Sequence, residues 1–317
     1  MNRVDEKTFP KVELPKIPER KVCVTSYGAK EGMDARNTKA FNDAILDISN
    51  EGGGTVVIPA GIWYTGPIRL RSHVALHLER GALVVFRYKK EEFPLIKTNY
   101  EGTDRIRATS PIYAVEEEDI AITGEGILDG CGDSWRPVKK SKLTDSQWNK
   151  RIKTGVNERG MWFPSNSSFA GHYNPDIKPS EPDALKRAEK YYDFYRPVMV
   201  SLIKCKRIKL EGVTFQNSPA WNLHPLFCEH LTINNVNVRN PWYAQNGDGL
   251  DLESCRCVNI LDSSFDVGDD AICLKSGKNE EARKIKFPTE YVTIKGWYIM
   301  DMAVLSLVAR CLVESAM

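Results

Sequence analysis

The hexapeptide CKRIKL at residues 205–210 recurs in pattern as CEHLTI at 228–233 and CRCVNI at 255–260. The copies begin 23 and 27 residues apart, which is the size of one coil of a parallel β-solenoid. One coil cannot bury its own apolar face, so coils must stack. The sequence therefore predicts an all-β fold, a right-handed parallel β-helix; a β-sandwich would not repeat one residue class at one offset. The positions expected to stack on one face are Ile208, Leu231, Val258 and Val292.

A single amphipathic helix precedes the repeats and is expected to cap the end of the stack. Asn37 or Thr38 is the predicted cap residue, and the triplet Gly52-Gly53-Gly54 ends the helix. A helix laid over the terminal coil would protect a sheet edge from pairing with other chains. Its apolar positions are Ala40, Phe41, Ala44, Ile45 and Ile48. The short strand runs that follow are at residues 55–58, 68–70 and 74–78.

The periodicity divides the chain into one repeat domain with two interruptions. The predicted β-helix covers residues 23–296, after an N-terminal extension at 1–22. Residues 131–196 break the pattern and are predicted to form a loop insertion folded over one side of the solenoid, with a short helix near 183–192. The tryptophans of this insertion favour an ordered segment.

Acidic residues gather at two junctions between strands. The stretch NGDGLD at 246–251 contains Asp248, and GDD at 268–270 contains Asp269 and Asp270. About one coil separates them, and equivalent positions on neighbouring coils lie about 4.8 Å apart, so the carboxylates are expected to converge. Such carboxylates push their pKa values apart, and an acid and a base can then coexist, as glycoside hydrolysis requires. A simple turn is the alternative.

Composition sets limits on partners. The chain has 44 Lys and Arg against 42 Asp and Glu, a net charge of +2, so no nucleic-acid or membrane-surface partner is expected. No apolar run reaches the roughly 18 residues of a transmembrane helix, and the N-terminus lacks the pattern of a signal peptide. We therefore expect a cytoplasmic protein that needs no cofactor.

The chain has eight cysteines, three of which begin the repeats. Cys205, Cys228 and Cys255 each precede an apolar strand position by three residues. Cysteine fits a small buried slot, so we expect reduced structural thiols. Cys255 and Cys257 form the one close pair, and no second pair stands at metal-site spacing, so no metal site is predicted.

Several motifs carry a family resemblance. They are YGA at 27–29, NSPAWNLHP at 217–225, NGDGLD at 246–251, FDVGDDAICLKSG at 265–277 and PTEYVTIK at 288–295. With these motifs, residues 23–296 resemble the pectin-degrading hydrolases of glycoside hydrolase family 28, especially bacterial exo-acting polygalacturonases. The resemblance implies hydrolysis of α-1,4-galacturonosyl bonds in polygalacturonate or oligogalacturonides, with inversion.

The resemblance also implies roles for individual residues. By motif match, Asp269 corresponds to the general acid, and Asp248 and Asp270 correspond to the pair that positions and activates water. One departure is that the family's usual Asn-Thr-Asp is here Asn246-Gly247-Asp248.

Four further residues are candidates for substrate binding. Asn246 lies beside the acidic cluster, and Trp221 and His224 lie about one coil before Asp248. Trp221 and His224 either line the same cleft or serve in a core or turn. Lys275 either meets a galacturonate carboxylate or is an exposed lysine at a strand end.

Two other functions compete with hydrolysis. A β-helix pectate lyase would cleave by β-elimination with Ca²⁺ and a basic residue, and its products absorb ultraviolet light. The other alternative is an inactive remnant that binds sugar or has no function.

The tail at residues 297–317 does not match the family. The resemblance implies a Gly-His-Gly-Gly segment and an Arg-x-Lys motif, and neither is present. A reverse translation of the tail in a shifted frame restores VYHGHGG, so we expect a frameshifted, non-native tail, little hydrolase activity and poor solubility. A genuine apolar C-terminal helix at 302–313 is the alternative.

Overall fold

Three parallel sheets form the protein, and each coil of the chain contributes one strand to each sheet. The computed structural model describes residues 8–174, 177–277, 279–296, 298–300 and 305–306. All pairings within the three sheets are parallel, and right-handed crossovers are the rule for such connections. The predicted right-handed parallel β-helix is confirmed.

The sheets are named here in the order in which the chain enters them. The described strands of the first sheet are Lys21–Cys23, Gly54–Ile58, Val74–Leu78, Glu118–Gly124, Lys206–Glu211, Glu229–Asn234, Arg256–Leu261 and Glu290–Lys295. Those of the second sheet are Gly61–Thr65, Ala82–Phe86, Ile127–Asp129, Thr214–Gln216, Asn237–Arg239, Ser264–Asp266 and Tyr298–Met300. Those of the third sheet are Ile68–Arg69, Ile112–Val115, Val200–Ile203, Leu223–Leu226, Leu250–Glu253, Ile272–Lys275 and Leu305–Ser306.

The repeat sets the register of the first sheet as predicted. Ile208 pairs with Leu231, Leu231 with Val258, and Val258 with Val292. These side chains belong to one hydrophobic core that all three sheets enclose. Apolar residues on successive coils therefore stack into continuous ladders, which is what a single coil cannot achieve alone.

The repeat cysteines form a buried ladder beside these strands. Cys205, Cys228 and Cys255 are fully buried free thiols. The Cys228 thiol donates to the Leu202 carbonyl at 3.3 Å, and the Cys255 thiol donates to the Pro225 carbonyl at 3.4 Å. The expectation of structural thiols is confirmed for these three residues, since each fills a slot in the core and satisfies its weak donor locally.

The predicted capping helix is present at Thr38–Asn50. Its five predicted apolar positions are buried against the first coil. Asn37 is the residue that precedes the helix, but its side chain makes no capping bond. That side chain instead bonds the backbone of Lys30 and the Tyr64 carbonyl, and so ties the helix to the second sheet.

The insertion at residues 131–196 is ordered in its described part. It contains a small antiparallel sheet of three strands, Val138–Lys139, Val156–Glu158 and Met161–Phe163. It also contains three helices, Asp145–Arg151, Asn166–Tyr173 and Ala184–Ala188. The predicted helix near 183–192 is the last of these, continued by a 3₁₀ segment at Glu189–Phe194. Trp135, Trp148 and Trp162 are buried, so they hold the insertion together.

Three other elements lie outside the stack. An antiparallel hairpin of Leu95–Tyr100 and Thr103–Ala108, which the periodicity does not predict, packs over the outer face of the third sheet. A fifth helix, Asn279–Ile285, follows the third sheet. The remaining 3₁₀ segments are Val24–Tyr27, Lys90–Glu92, Gly132–Ser134 and Lys140–Lys142.

The N-terminal extension crosses the first sheet. Phe9 packs edge-on against Tyr291 at 5.7 Å between ring centroids. The Glu13 amide donates to His230 Nδ1 at 3.3 Å, and the Lys16 amide donates to Asp119 Oδ1 at 2.9 Å. These partners lie on three different coils, so residues 9–20 form a strap across the sheet, called the N-terminal strap below.

Most of the tail at 297–317 lies outside the described residues. Its described parts, Tyr298–Met300 and Leu305–Ser306, are strands that extend the second and third sheets. The expectation of a frameshifted tail stays a prediction, and the alternative helix at 302–313 does not fit the strand at 305–306. Among the described residues, no helix is long and apolar enough to cross a membrane.

Candidate active site

The acidic residues lie where the chain enters successive strands of the third sheet. Asp248 stands before the strand Leu250–Glu253, and Asp270 stands before Ile272–Lys275. The Gly249 amide donates to the Asp270 carbonyl at 2.8 Å. Since Leu250 pairs with Ile272, the residue that stacks on Asp248 is Asp270, and Asp269 lies one position earlier. The predicted convergence of the two acidic motifs is confirmed.

The stacked pair and its neighbour differ in their surroundings. A carboxylate oxygen of Asp248, one of Asp270 and the Cys273 sulfur lie within 4.8 Å of one another. The Cys273 thiol donates to Asp270 Oδ2 at 3.2 Å. Asp269 Oδ2 instead accepts from the Asn246 amide at 3.0 Å, so the backbone of the NGD turn orients it. Two carboxylates thus face a common space, and the third lies beside them.

Burial makes Asp248 unusual. Its side chain is 6% exposed, and its Oδ1 has no hydrogen-bond partner among the described residues. Burial raises the pKa of Asp248 to about 8, with further contributions from the charges of Asp251 and Asp269. The nearby cation Lys275 opposes the shift. The pKa of Asp248 thus favours its protonated form near neutral pH.

A buried ion pair lies beneath Asp248. Asp251 is fully buried and accepts a hydrogen bond from Lys275 Nζ. The ammonium also lies 3.7 Å from the centroid of the Trp221 ring. Burial raises the pKa of Asp251 to about 6, although Lys275 lowers it. Lys275 is thus held by Asp251 and Trp221 and is largely buried. In this structure the ammonium contacts Asp251, and its expected contact with a substrate carboxylate stays a prediction.

His224 and Trp221 are covered as well. His224 is 1% exposed, and its Nε2 lies 2.9 Å from Glu253 Oε2. Trp221 is 3% exposed and stacks on Tyr100 at 4.0 Å between centroids. The hairpin carrying Tyr100 covers both residues, so a place in the open cleft stays a prediction that the geometry does not support. Their alternative structural role fits the geometry.

Asn246, in contrast, is exposed beside Asp269 and is held from below by an arginine. Arg196 Nη2 donates to Asn246 Oδ1 at 2.9 Å. Arg196 Nη1 donates to the carbonyls of Gln245 and Pro219 at 2.9 and 3.1 Å. Burial lowers the pKa of Arg196 to about 10, with the neighbouring Arg107 adding to the effect. The Asn246 side chain is thereby fixed at the mouth of the site.

Sequence reasoning missed Asp251, Arg196 and Tyr100. A signal for Asp251 exists, because a lone acid between Leu250 and Leu252 in a strand points away from the core that those leucines fill. Arg196 and Tyr100 belong to the insertion and the hairpin, and no repeat offset relates them to the acidic motifs.

Two acidic groupings among the described residues are close enough to hold a cation. In the group of His73, Glu118 and Asp119, both carboxylates already accept hydrogen bonds from Arg207. The other group is the Asp248, Asp270 and Cys273 set described above. The expectation that the site needs no metal and no cofactor stays a prediction.

Comparison with known proteins agrees with this geometry. A family model for glycosyl hydrolases family 28 matches residues 186–293. A probable polygalacturonase of Vitis vinifera is 30% identical over 281 residues, covering 86% of this chain and 48% of the relative. An exo-poly-alpha-D-galacturonosidase of Dickeya chrysanthemi is 26% identical over 281 residues, covering 86% and 44%. The chain therefore spans about half the length of the curated relatives it matches.

A solved structure gives the same result. The hyperthermoactive exopolygalacturonase from Thermotoga maritima superposes with a TM-score of 0.73 at 28% identity, covering 92% of this chain and 62% of that protein. The fold, the stacked acidic motifs and these matches agree with one another. Residues 186–293 thus match glycosyl hydrolases family 28, and most of the chain is similar to polygalacturonases.

Proposed function

We propose that this protein hydrolyses α-1,4-galacturonosyl bonds in polygalacturonate or its oligomers, with inversion. The observation that carries the proposal is the stacking of Asp248 on Asp270, with oxygens within 4.8 Å, next to Asp269. Relatives that carry the name polygalacturonase share the family and most of this chain's length.

In the proposed reaction, Asp269 donates a proton to the glycosidic oxygen as the bond from C1 to that oxygen breaks. Asp248 and Asp270 hold a water between them and accept its proton as the water oxygen bonds to C1 from the opposite face. Inversion requires the acid and the base to be roughly 6.5–9.5 Å apart, which leaves room for that water. The backbone amide of Asn246 orients Asp269 for the transfer.

The electrostatics of the cluster fit this division of labour. Burial raises the pKa of Asp248 to about 8, so the cluster retains a proton at neutral pH. Coupled carboxylates share their protons, and the titration belongs to the group. Catalysis then requires the proton to reside on Asp269 while Asp248 is ionised. Lys275 is held near Asp248 by its hydrogen bond to Asp251, and its positive charge favours the ionised form of Asp248.

The test of this function replaces the proposed acid. Asp269→Asn should lower the release of reducing ends from polygalacturonate by a factor of about 10²–10⁴, because general acid catalysis contributes that much. Asp266→Asn is a matched control, since Asp266 is exposed on the strand just before the site. Undiminished hydrolysis by Asp269→Asn would refute the assignment.

The same assay separates the alternatives. A hydrolase releases reducing ends without new ultraviolet absorbance, whereas a lyase forms unsaturated products that absorb. An NMR spectrum of the first product should show the β-anomer, since inversion changes the α configuration. A chain that binds oligogalacturonides with no product of either kind would be a sugar-binding remnant.

A further inference from the structure

A groove lies between the insertion and the loop that leads into the NGD turn. Its volume is about 600 Å³. It is called the aromatic groove below and is lined by Gln147, Lys150, Arg151, Trp162, Trp242 and Tyr243. None of these residues belongs to the acidic cluster, and no acidic side chain lines the groove among the described residues.

Trp242 is the most exposed of the aromatic side chains that line the aromatic groove. It is 56% exposed, which is a high value for the largest apolar side chain. Its indole nitrogen donates to the Lys142 carbonyl at 2.9 Å, and its ring packs edge-on against Tyr243 at 5.2 Å. Trp242 is therefore an anchored platform. Tryptophan combines a flat apolar face with a polar edge, which suits contact with a partly polar ligand.

Cations accompany this platform. The Arg151 guanidinium lies 4.9 Å from the centroid of Trp162 and 5.1 Å from that of Tyr243. Asp133 is 3.9 Å from Arg151 but 3.2 Å from the buried Arg136, so one carboxylate faces two guanidinium groups. Lys150 is exposed and has no carboxylate partner among the described residues. The groove thus carries uncompensated positive charge.

The groove adjoins the acidic cluster through the backbone. A Cβ atom placed on Gly268 would come within 2.5 Å of the Trp242 carbonyl oxygen. Only glycine allows this close approach of the loop to the residue before Asp269. The loop that carries Trp242 therefore lies directly against the chain that leads into Asp269 and Asp270.

We propose that the aromatic groove is a binding subsite for a galacturonate unit distant from the bond that is cleaved, with Trp242 under the sugar ring and Lys150 and Arg151 facing its carboxylate. This inference rests on the proposed function, because it takes the same polymer as ligand. The combination of an anchored aromatic face and an excess of positive charge selects an anionic sugar over a neutral one.

The experiment measures binding in the Asp269→Asn background, so that turnover does not consume the ligand. Calorimetry with hexagalacturonate and with digalacturonate gives the gain in affinity with chain length. Trp242→Ala should weaken hexagalacturonate binding about tenfold, and Lys150→Met about threefold, with the Lys150 effect shrinking as salt rises. Trp242→Phe, which loses the Lys142 bond but keeps a ring, should retain most of the affinity.

The control is Tyr173→Ala, which removes another exposed aromatic of the insertion, 47% exposed, away from the groove. It should bind hexagalacturonate as the parent does. Fully methyl-esterified hexagalacturonate should bind the parent and Lys150→Met equally. If the parent binds hexagalacturonate and the Trp242 and Lys150 variants match it, the subsite is refuted while the proposed function stands. If the parent binds neither oligomer, both are refuted.

Discussion

At the scale of single residues, the site maintains an ionisable cluster at a cost in stability. Asp248 and Asp251 are buried, and one oxygen of each has no hydrogen-bond partner among the described residues. Unpaired buried carboxyl groups are unfavourable, and their pKa values rise because the neutral form tolerates burial better. Such strained electrostatics is typical of functional sites. Substitutions that remove a buried carboxyl group here should therefore raise the free energy of unfolding and lower the rate of hydrolysis.

Asp248→Asn should stabilise the fold in a pH-dependent way. The folded pKa of about 8 lies above the ordinary value of 3.8, so the native state holds this proton more tightly than the unfolded state. Relative stability from this group is full below about pH 4 and is lost as pH rises towards 8. Asparagine does not ionise, so the gain in the free energy of unfolding should grow from pH 4 to pH 8, on the order of a few kcal/mol.

Thermal unfolding of the parent, Asp248→Asn and the exposed control Asp266→Asn at several pH values checks this. Parallel pH dependences of all three proteins would contradict the raised pKa.

Lys275→Met should move the pH profile of catalysis. Lys275 lowers the pKa of both Asp248 and Asp251, so its removal raises them. Ionised Asp248 then becomes available only at higher pH. The acid limb of kcat/KM, which reports groups of the free enzyme, should shift to higher pH. Lys204→Met is the matched control, because Lys204 pairs with Glu116 at an exposed position. A uniform fall in rate with an unmoved limb would indicate a structural role alone.

The sequence could predict the three acids but not their supports. Asp248, Asp269 and Asp270 stand in motifs that recur at the interval of one coil, so stacking follows from the repeat. The repeat could not show which of Asp269 and Asp270 stacks on Asp248, because the length of a coil varies. The coil at this point spans 22 residues, as the pairing of Leu250 with Ile272 shows. The two alternatives for His224 stayed open for a different reason. Whether an outward side chain meets solvent depends on what covers it, and a hairpin far away in the chain covers this one.

At the scale of elements, prediction succeeded where periodicity exists. Strands of the first sheet follow from apolar ladders, and the capping helix follows from its spacing of five buried residues. The hairpin at Leu95–Tyr100 and Thr103–Ala108 has no partner offset in the repeats, so nothing local shows where it folds. The insertion is similar. Its position depends on tertiary contacts such as that of Asp193 with Tyr88, which are 105 residues apart.

Asp193 fixes the insertion, and its loss should loosen that element alone. The carboxylate accepts from the Tyr88 hydroxyl at 2.6 Å and from the Ser165 hydroxyl, and the residue is 8% exposed. Asp193→Ala leaves the hydroxyl protons of Tyr88 and Ser165 without their acceptor, which costs about 1–3 kcal/mol for each buried group. We expect faster proteolysis within residues 131–196 while the far-ultraviolet circular dichroism of the sheets is retained.

Glu189→Ala is the control for this element. Glu189 is a carboxylate of the same segment, but its pair with Lys90 is exposed and contributes little. Equal proteolysis of both variants would show that Asp193 does not anchor the insertion.

At the scale of the whole molecule, the stack has contacts that bypass the coil-to-coil order. In a solenoid each coil otherwise contacts its neighbours alone, so stability is a sum of local terms. The N-terminal strap contacts Asp119, His230 and Tyr291, which belong to separate coils. Each of these three residues has a positive φ, of 53°, 58° and 58°. The pairing between neighbouring strands passes over each of these residues, and their side chains contact the strap.

Asp119 joins the strap to the stack, and Asp119→Asn should weaken that connection. Its carboxylate accepts from the Lys16 amide and from Arg207 Nε at 2.9 and 2.7 Å, and it is 3% exposed. The hydrogen bond from Arg207 holds the pKa of Asp119 below its usual value. Its contribution is therefore present above about pH 4 and is lost as pH falls through the lowered pKa. We expect Asp119→Asn to cost about 2 kcal/mol at neutral pH.

Two measurements separate this effect from a general loss of charge. Urea unfolding should show a large difference between parent and Asp119→Asn at pH 7 that shrinks in acid, as the pH falls through the lowered pKa of Asp119. Proteolysis at neutral pH should release residues 9–20 faster in the variant, since the anchor of the Lys16 amide is weakened. Glu125→Gln is the control, because Glu125 and Arg80 form an exposed pair on the same stack. A difference that persists undiminished in acid, or a strap as resistant as in the parent, would show that Asp119 does not link the strap to the coils through its charge.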